Sequence, residues 1–198
     1  MRAGSDAAQR LVSELEKLGA VGRLFGSRGE VVKYLANLVM ERRAKLVLIS
    51  GLDQEFSSEL RRGIASAGAS CFELDDVDPK DLRRLLEKAE IGVTGADLAV
   101  AETGSLVLTT RNDAERLLSC LPPVHVAIIA KENIVDSFLE LAEWFKKMQS
   151  QGTRTVSVIT GPSRTADIER EIVLGVHGPH ELHVIILDGM PDGEKSGS

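Results

Sequence analysis

The sequence predicts a single α/β domain in which a mixed sheet carries helices on both faces. Three observations lead there. Short apolar runs rich in β-branched residues, such as KLVLIS at 45–50 and VHVAIIA at 124–130, alternate with amphipathic stretches of helical spacing. The middle of the chain breaks that rhythm with apolar runs at 91–94, 98–101 and 106–109. No helix fits between them, so at least one hairpin is expected. Finally, 198 residues with 43% hydrophobic and 27% charged side chains suffice for one domain with a sizeable core.

Ser5 or Asp6 caps a first helix whose inner face carries Leu11, Val12, Leu15 and Leu18, with Gly19 near its end. Residues 21–26, with Gly22 and Gly26, read as hinges or turns. Ser27 caps a second helix bearing Val31, Val32, Leu35, Leu38 and Val39. The run at 45–50 is a buried strand closed by Gly51, 56–67 is a helix and 70–73 a short strand. Asp78-Pro79 opens another helix with a cap and a proline at the first turn. After the central runs come strand 124–130, helix 133–149, strand 155–160, a short helix from 165–167 and a last strand at 182–187. The expected division is a helical segment, residues 1–44, packing on an α/β domain, residues 45–189. A polar tail, residues 190–198, is expected to fray.

Composition excludes several functions. The formal charge of −6 argues against a nucleic-acid or anionic-membrane binder. The apolar runs are strand-sized, far short of the roughly 20 residues that span a bilayer. The first residues lack the apolar core of a signal peptide, so a cytoplasmic protein is expected. Cys71 and Cys120 lie far apart and cannot hold an iron–sulfur cluster alone, which takes four thiolates. There is no G-x-G-x-x-G, no phosphate-loop motif and no G-x-S-x-G.

Chemistry concentrates in three segments. Residues 92–105 carry Thr94, Gly95, Asp97, Glu102, Thr103, Gly104 and Ser105 after a strand. Glycines admit a ligand to the main chain, and a partly desolvated carboxylate suits proton transfer or nucleophilic work. The alternative is that the glycines serve tight turns and the carboxylates cap backbone donors. Residues 160–169 carry Ser163, Arg164, Thr165 and Asp167 where a strand leads into the expected helix. Arg164 and that helix terminus suit a carboxylate or phosphate. An ordinary capping box is the alternative. In the third segment His177, His180 and His183 stand at intervals of three. Gly178 and Pro179 interrupt them, so no metal is assigned, and His177 is the one best placed to face a ligand. His125, within a strand, reads as a satisfied core residue, Trp144-Phe145 as core packing, and Arg61-Arg62 as a solvated helix face.

GVTGADLAVAETGSLVLTT (92–110), LPPVHVAII (121–129) and GPSRTADIEREIVLGVHGPHELHVIILDG (161–189) closely resemble the LUD domain of the LutC/YkgG lactate-utilisation family, in order and spacing. The resemblance implies a fold like the NagB/RpiA/CoA-transferase group. It also implies a role beside LutA-like and LutB-like iron–sulfur proteins that oxidise L-lactate to pyruvate. Clusters would sit on those partners, and no cofactor is assigned to this chain, whose cysteine count matches the small LutC-type component.

The candidate ligand is a small carboxylate or phosphate-bearing molecule, held by Thr94, Gly95, Asp97, Thr103, Gly104, Ser163, Arg164, Thr165 and Asp167. Glu102 or His177 would handle protons. Two other readings stay open. Glu102-Thr103-Gly104 superficially copies the Glu-x-Gly of CoA-transferases, which would make Glu102 a nucleophile. A non-catalytic structural or regulatory module is the other. Association of identical copies is also left open.

Overall fold

The computed structural model describes residues 5–149, 155–166, 172–174 and 178–189. In chain order these residues form helix α1 (Ser5–Lys17), strand β1 (Val21–Phe25), α2 (Arg28–Arg42), β2 (Leu46–Ser50), α3 (Gln54–Ser66), β3 (Ser70–Glu73), α4 (Pro79–Lys88) and β4 (Ile91–Gly95). Then come β5 (Leu98–Val100), β6 (Ser105–Thr110), α5 (Asp113–Leu118), β7 (Val124–Ala130), β8 (Ile134–Val135), α6 (Phe138–Gln149), β9 (Thr155–Thr160), β10 (Arg164–Ala166), β11 (Ile172–Leu174) and β12 (Glu181–Leu187).

Six strands build one parallel sheet in the order β1-β12-β7-β4-β2-β3. A second sheet runs β8-β5-β6-β9, with β6 antiparallel to both its neighbours. The hairpin expected from the closely spaced apolar runs is β5–β6. β10 and β11 form a separate antiparallel pair.

Local chemistry starts most of the helices. The Ser27 side chain accepts from the Glu30 amide, and Glu30 reaches back to accept from the Gly26 amide at 2.9 Å. Each side chain thus satisfies a donor that the helix start leaves free. Asp53, Asp78 and Asn112 cap α3, α4 and α5 in the same manner.

The layers arise from strand alternation. Val47, Ile49, Ile91, Val93, Val126 and Ile185 face α2 and α3. On the opposite face Ala127, Ile129, Val184 and Ile186 pack against Leu11 and Leu15 of α1 and Leu106 and Leu108 of the second sheet. Leu141 of α6, with the edge-on ring pair Trp144–Phe145, covers Leu98, Val100 and Val107 on that sheet's outer side. Among the described residues no helix is long and apolar enough to cross a membrane.

Four expectations change. Residues 21–26 are not mere turns: β1 is an edge strand of the parallel sheet, so the first 44 residues are not helical throughout. Gly22 sits in that strand because α1 crosses it closely, and an added Cβ would lie 3.1 Å from the Val12 α-carbon. The helix expected from 133 begins at Phe138, after a 3-10 turn at Lys131–Asn133 and the two residues of β8. The short helix α5 is an addition to the expected elements. The helix expected from 165–167 is replaced at Arg164–Ala166 by strand β10. The tail, residues 190–198, lies outside the described residues.

One contact directs the second half of the chain. Gly51 (φ 73°) closes β2 beside Gly95 at the end of β4, and an added Cβ on Gly95 would lie 2.1 Å from the Gly51 carbonyl oxygen. Unable to continue straight, the chain turns above β7, where the Ala96 amide donates to the Ile128 carbonyl at 2.8 Å. Gly95→Ala is therefore expected to cost more than about 2 kcal/mol, because backbone rather than a flexible side chain must give way. Gly29→Ala in α2 meets open space and should stabilise by up to about 1 kcal/mol. Urea unfolding of the two variants checks this, and equal midpoints would show that the Gly51–Gly95 contact does not constrain the chain.

Candidate functional site

Glu102, Thr103 and Gly104 form the turn that joins β5 to β6. The Gly104 amide closes it on the Val100 carbonyl at 3.0 Å. Gly104 takes a positive φ of 66° because α1 lies against it, with Leu18 Cδ1 2.8 Å from where a Cβ would stand. Glu102 is exposed, and its Oε2 accepts from the amide of Phe138, the first residue of α6, at 3.1 Å. A carboxylate there satisfies one of the helix's free donors and complements its dipole.

Beside it runs a chain of hydroxyls. Thr103 Oγ1 donates to Ser105 Oγ at 2.8 Å, and Ser105 Oγ bonds Thr160 Oγ1 at 2.8 Å across the β6–β9 ladder. Each hydroxyl carries one proton. Two bonds use two of the three; when Ser105 donates to Thr160, the spare proton sits on exposed Thr160, where an outside acceptor can take it. That leftover donor is what a ligand oxygen would meet.

The chain then leads to Ser163, whose amide donates to the Pro179 carbonyl at 3.0 Å. Gly178 approaches so closely that an added Cβ would lie 3.1 Å from Ser163 Cβ. The Pro123 carbonyl accepts from the His180 and Glu181 amides, at 2.9 and 3.1 Å. Ser163 therefore lies by the amino ends of β7 and β12. The sequence pattern alone places it at the sheet's carboxyl edge, where open α/β sheets gather ligands. The difference arises because β9 belongs to the antiparallel sheet and runs the other way. Arg164 and Thr165 pair with Leu174 and Val173 in β10–β11, so they do not open a helix. Asp167 and His177 lie outside the described residues.

Thr94, Gly95 and Asp97 fall at the other end of β5. Asp97 Oδ2 accepts from the Thr109 amide at 2.6 Å and the Thr109 hydroxyl at 2.9 Å, pinning the strand entry. Thr94 Oγ1 bonds His125 Nε2 at 2.8 Å. His125 is fully buried, and burial pushes its pKa down to about 4. Its Nδ1 has no partner among the described residues, so the histidine is core, as expected, but only half satisfied. The single stretch 92–105 thus supplies two separate places.

Two groups of residues escape a reading of the sequence. Thr160 carries no local signal, because only the β6–β9 register brings it to Ser105. The other group surrounds His183, under α2. Tyr34 O–H donates to His183 Nδ1 at 2.7 Å, His183 Nε2 donates to Glu181 Oε2 at 3.2 Å, and Arg42 donates to the same oxygen at 2.7 Å. Burial pushes Tyr34 up and His183 down. Burial would raise Glu181 as well, but bonds from Arg42 and His183 hold it low. His183 therefore ties α2 to the sheet rather than joining His180 on a metal. Among the described residues no group of three or more His, Cys, Asp or Glu is arranged to hold one. Both cysteines are free, and burial pushes the Cys71 thiol up to about 12.

Architecture and site together define a class: an open parallel α/β domain with an antiparallel sheet laid over one face, its hairpin turn presenting hydroxyls beside a helix start. The chain belongs to the LUD domain family, whose model matches residues 8–187. Lactate utilization protein C of Macrococcus caseolyticus is 32% identical over 153 residues, covering 76% of this chain and 65% of that one. Its namesake in Oceanobacillus iheyensis is 30% identical over 167 residues, covering 81% and 68%. The chain spans about half to two thirds of the length of the curated relatives it matches. A crystal structure of a DUF162 family protein from Deinococcus radiodurans shares the fold, with TM-score 0.68 and 21% identity over 92% of this chain and 97% of that one.

His125 gives the fold a pH dependence of definite sign. The unfolded chain takes up its proton near 6.5, the folded chain only near 4. Stability is therefore complete above pH 6.5 and falls as pH drops toward about 4, by up to ~3 kcal/mol from this residue. In His125→Gln, urea unfolding across that range should show a flatter loss than in the parent. An unchanged slope would count against a neutral, buried His125.

Proposed function

We propose that this chain is the small, cluster-free component of a system that uses lactate or a related organic acid. Its part is to hold a small carboxylate- or phosphate-bearing molecule at the β5–β6 turn. The observation that carries this reading is the hydroxyl chain Thr103–Ser105–Thr160, with a proton to spare, beside the α6 amide that Glu102 engages. The names of the curated relatives supply the metabolic setting.

In this reading Thr103, Gly104 and Ser163 line the ligand, and Arg164 and Thr165 come next along the chain. A ligand oxyanion competes with Glu102 for the Phe138 amide, and the displaced carboxylate becomes free to take a proton. Thr94, Gly95 and Asp97 act indirectly, fixing where β5 begins. Converting L-lactate to pyruvate releases two electrons and two protons. This chain's two cysteines cannot build a four-thiolate cluster, so the electrons pass to LutA-like and LutB-like iron–sulfur partners. The geometry offers nothing that favours coenzyme A transfer by Glu102, whose carboxylate serves a helix start.

Reconstitution tests the reading. L-lactate oxidation by the iron–sulfur partners should require this chain and fall about tenfold or more with Ser105→Ala, which removes the centre of the hydroxyl chain. An equal rate with the chain left out would refute it.

A further inference from the structure

The open edge of the parallel sheet at β3 lies apart from the hairpin turn and is independent of the proposed function. β3 ends the strand order, and among the described residues no strand pairs with its outer side. The Ser70 amide donates to the Lys45 carbonyl at 2.9 Å, so Ser70 and Phe72 turn their backbone groups toward β2. Strand alternation then sends the N–H and C=O of Cys71 and the N–H of Glu73 outward, with no strand beyond them among the described residues, while the Glu73 carbonyl opens the 3-10 turn Leu74–Asp76.

Proteins usually guard such an edge with lysine, proline or a covering element. β3, Ser-Cys-Phe-Glu, has neither lysine nor proline and is guarded only by its shortness and Glu73, while Phe72 is 41% exposed. At the other edge, β1 carries Arg23 and is crossed by α1.

Beside β3 runs an open groove of about 460 Å³, lined by Arg61, Arg62 and Ala65 of α3 and by Ala69, Ser70 and Phe72. Its small floor leaves room along the strand. Its α3 wall carries two arginines on a chain of net charge −6. Arg61 is partly matched by Asp76 at 3.1 Å, while exposed Arg62 has no ion-pair partner among the described residues. The arginine pair, a solvated helix face by sequence, thus forms one wall of a groove beside an open strand.

We propose that β3 receives an extended segment of a partner protein in which acidic and apolar residues alternate, added to the sheet as a further strand. Its backbone pairs with the outward N–H and C=O of Cys71 and the N–H of Glu73. Successive side chains of a strand point to opposite faces. Acidic ones meet Arg61 and Arg62 on the α3 side, and apolar ones cover Phe72 on the other. This is strand addition, in which main-chain bonds give affinity and alternate side chains give selectivity. A second copy of this chain fits less well, because pairing β3 with itself would bring both arginine pairs to one junction.

The probe is a soluble peptide of alternating glutamate and valine, added to the full chain while amide hydrogen exchange is followed. Exchange should slow at Cys71 and Glu73, and the binding should weaken as salt rises. Arg62→Glu should weaken it about tenfold, since an attraction becomes a repulsion. Arg10→Glu, the same charge change on α1, should leave binding unaltered. Any of four results would overturn the proposal: no binding, equal binding of an alternating lysine–valine peptide, protection elsewhere, or protection of β3 by dimerisation without peptide.

Discussion

At the carboxyl end of β4 the Gly51 carbonyl oxygen occupies the space in which a side chain on Gly95 would begin. That contact sets the course of the chain beyond β4. The strand cannot run on, so the backbone steps over β7, and Asp97 locks the entry to β5 by accepting from Thr109 of β6. The second sheet is thereby laid across one face of the first, its inner side packing on Ala127, Ile129, Val184 and Ile186. The turn that carries Glu102 and Thr103 is projected away from the Gly51–Gly95 contact. Two residues without side chains thus decide where the polar end of the hairpin comes to lie.

The polar groups that result fall into two kinds. Thr94 and His125 are closed off, and the neutral histidine stays in the core at the expense of one unpaired ring nitrogen. Burying such a nitrogen is costly, so its protonation is pushed far down. The hydroxyls of Thr103, Ser105 and Thr160 differ in that they bond one another and still retain a proton. Glu102 beside them is exposed. Only the second kind offers an outside molecule something to bond without unpacking the core. The same distinction applies around His183, whose two nitrogens are both taken up in holding α2 to the sheet.

Much of the fold is legible in the sequence because its signals are local. Caps at Ser27 and Asp78 are read from neighbours within one turn, and β7 is apolar apart from His125 because both its faces are buried. The hairpin is legible because its apolar runs lie too close together for anything else. β1 is hidden, since Gly22 and Arg23 break the apolar pattern of a strand that is crossed by α1 and open on one side. β8 is too short to have a pattern. The site is half legible. Glu102, Thr103 and Gly104 stand out, but the polar residues of 92–105 read as one candidate site, and β5 divides them between two places. Thr160 depends on strand register, which no local spacing reveals. The helix expected after Ser163 fails for a related reason: Ser, Thr and Asp favour caps and turns alike, and pairing with Ile172–Leu174 decides the outcome.

Small anions, in this picture, are received at the hairpin turn and not at the Gly51–Gly95 end of the sheet. Backbone amide chemical-shift mapping during titration with L-lactate, pyruvate and inorganic phosphate tests that claim directly. Shifts should concentrate at Glu102, Thr103, Ser105, Phe138, Thr160 and Ser163, and Ser105→Ala should abolish them. Shifts confined to Thr94, Gly95 and Asp97, or no saturable shifts with any of the three anions, would contradict it.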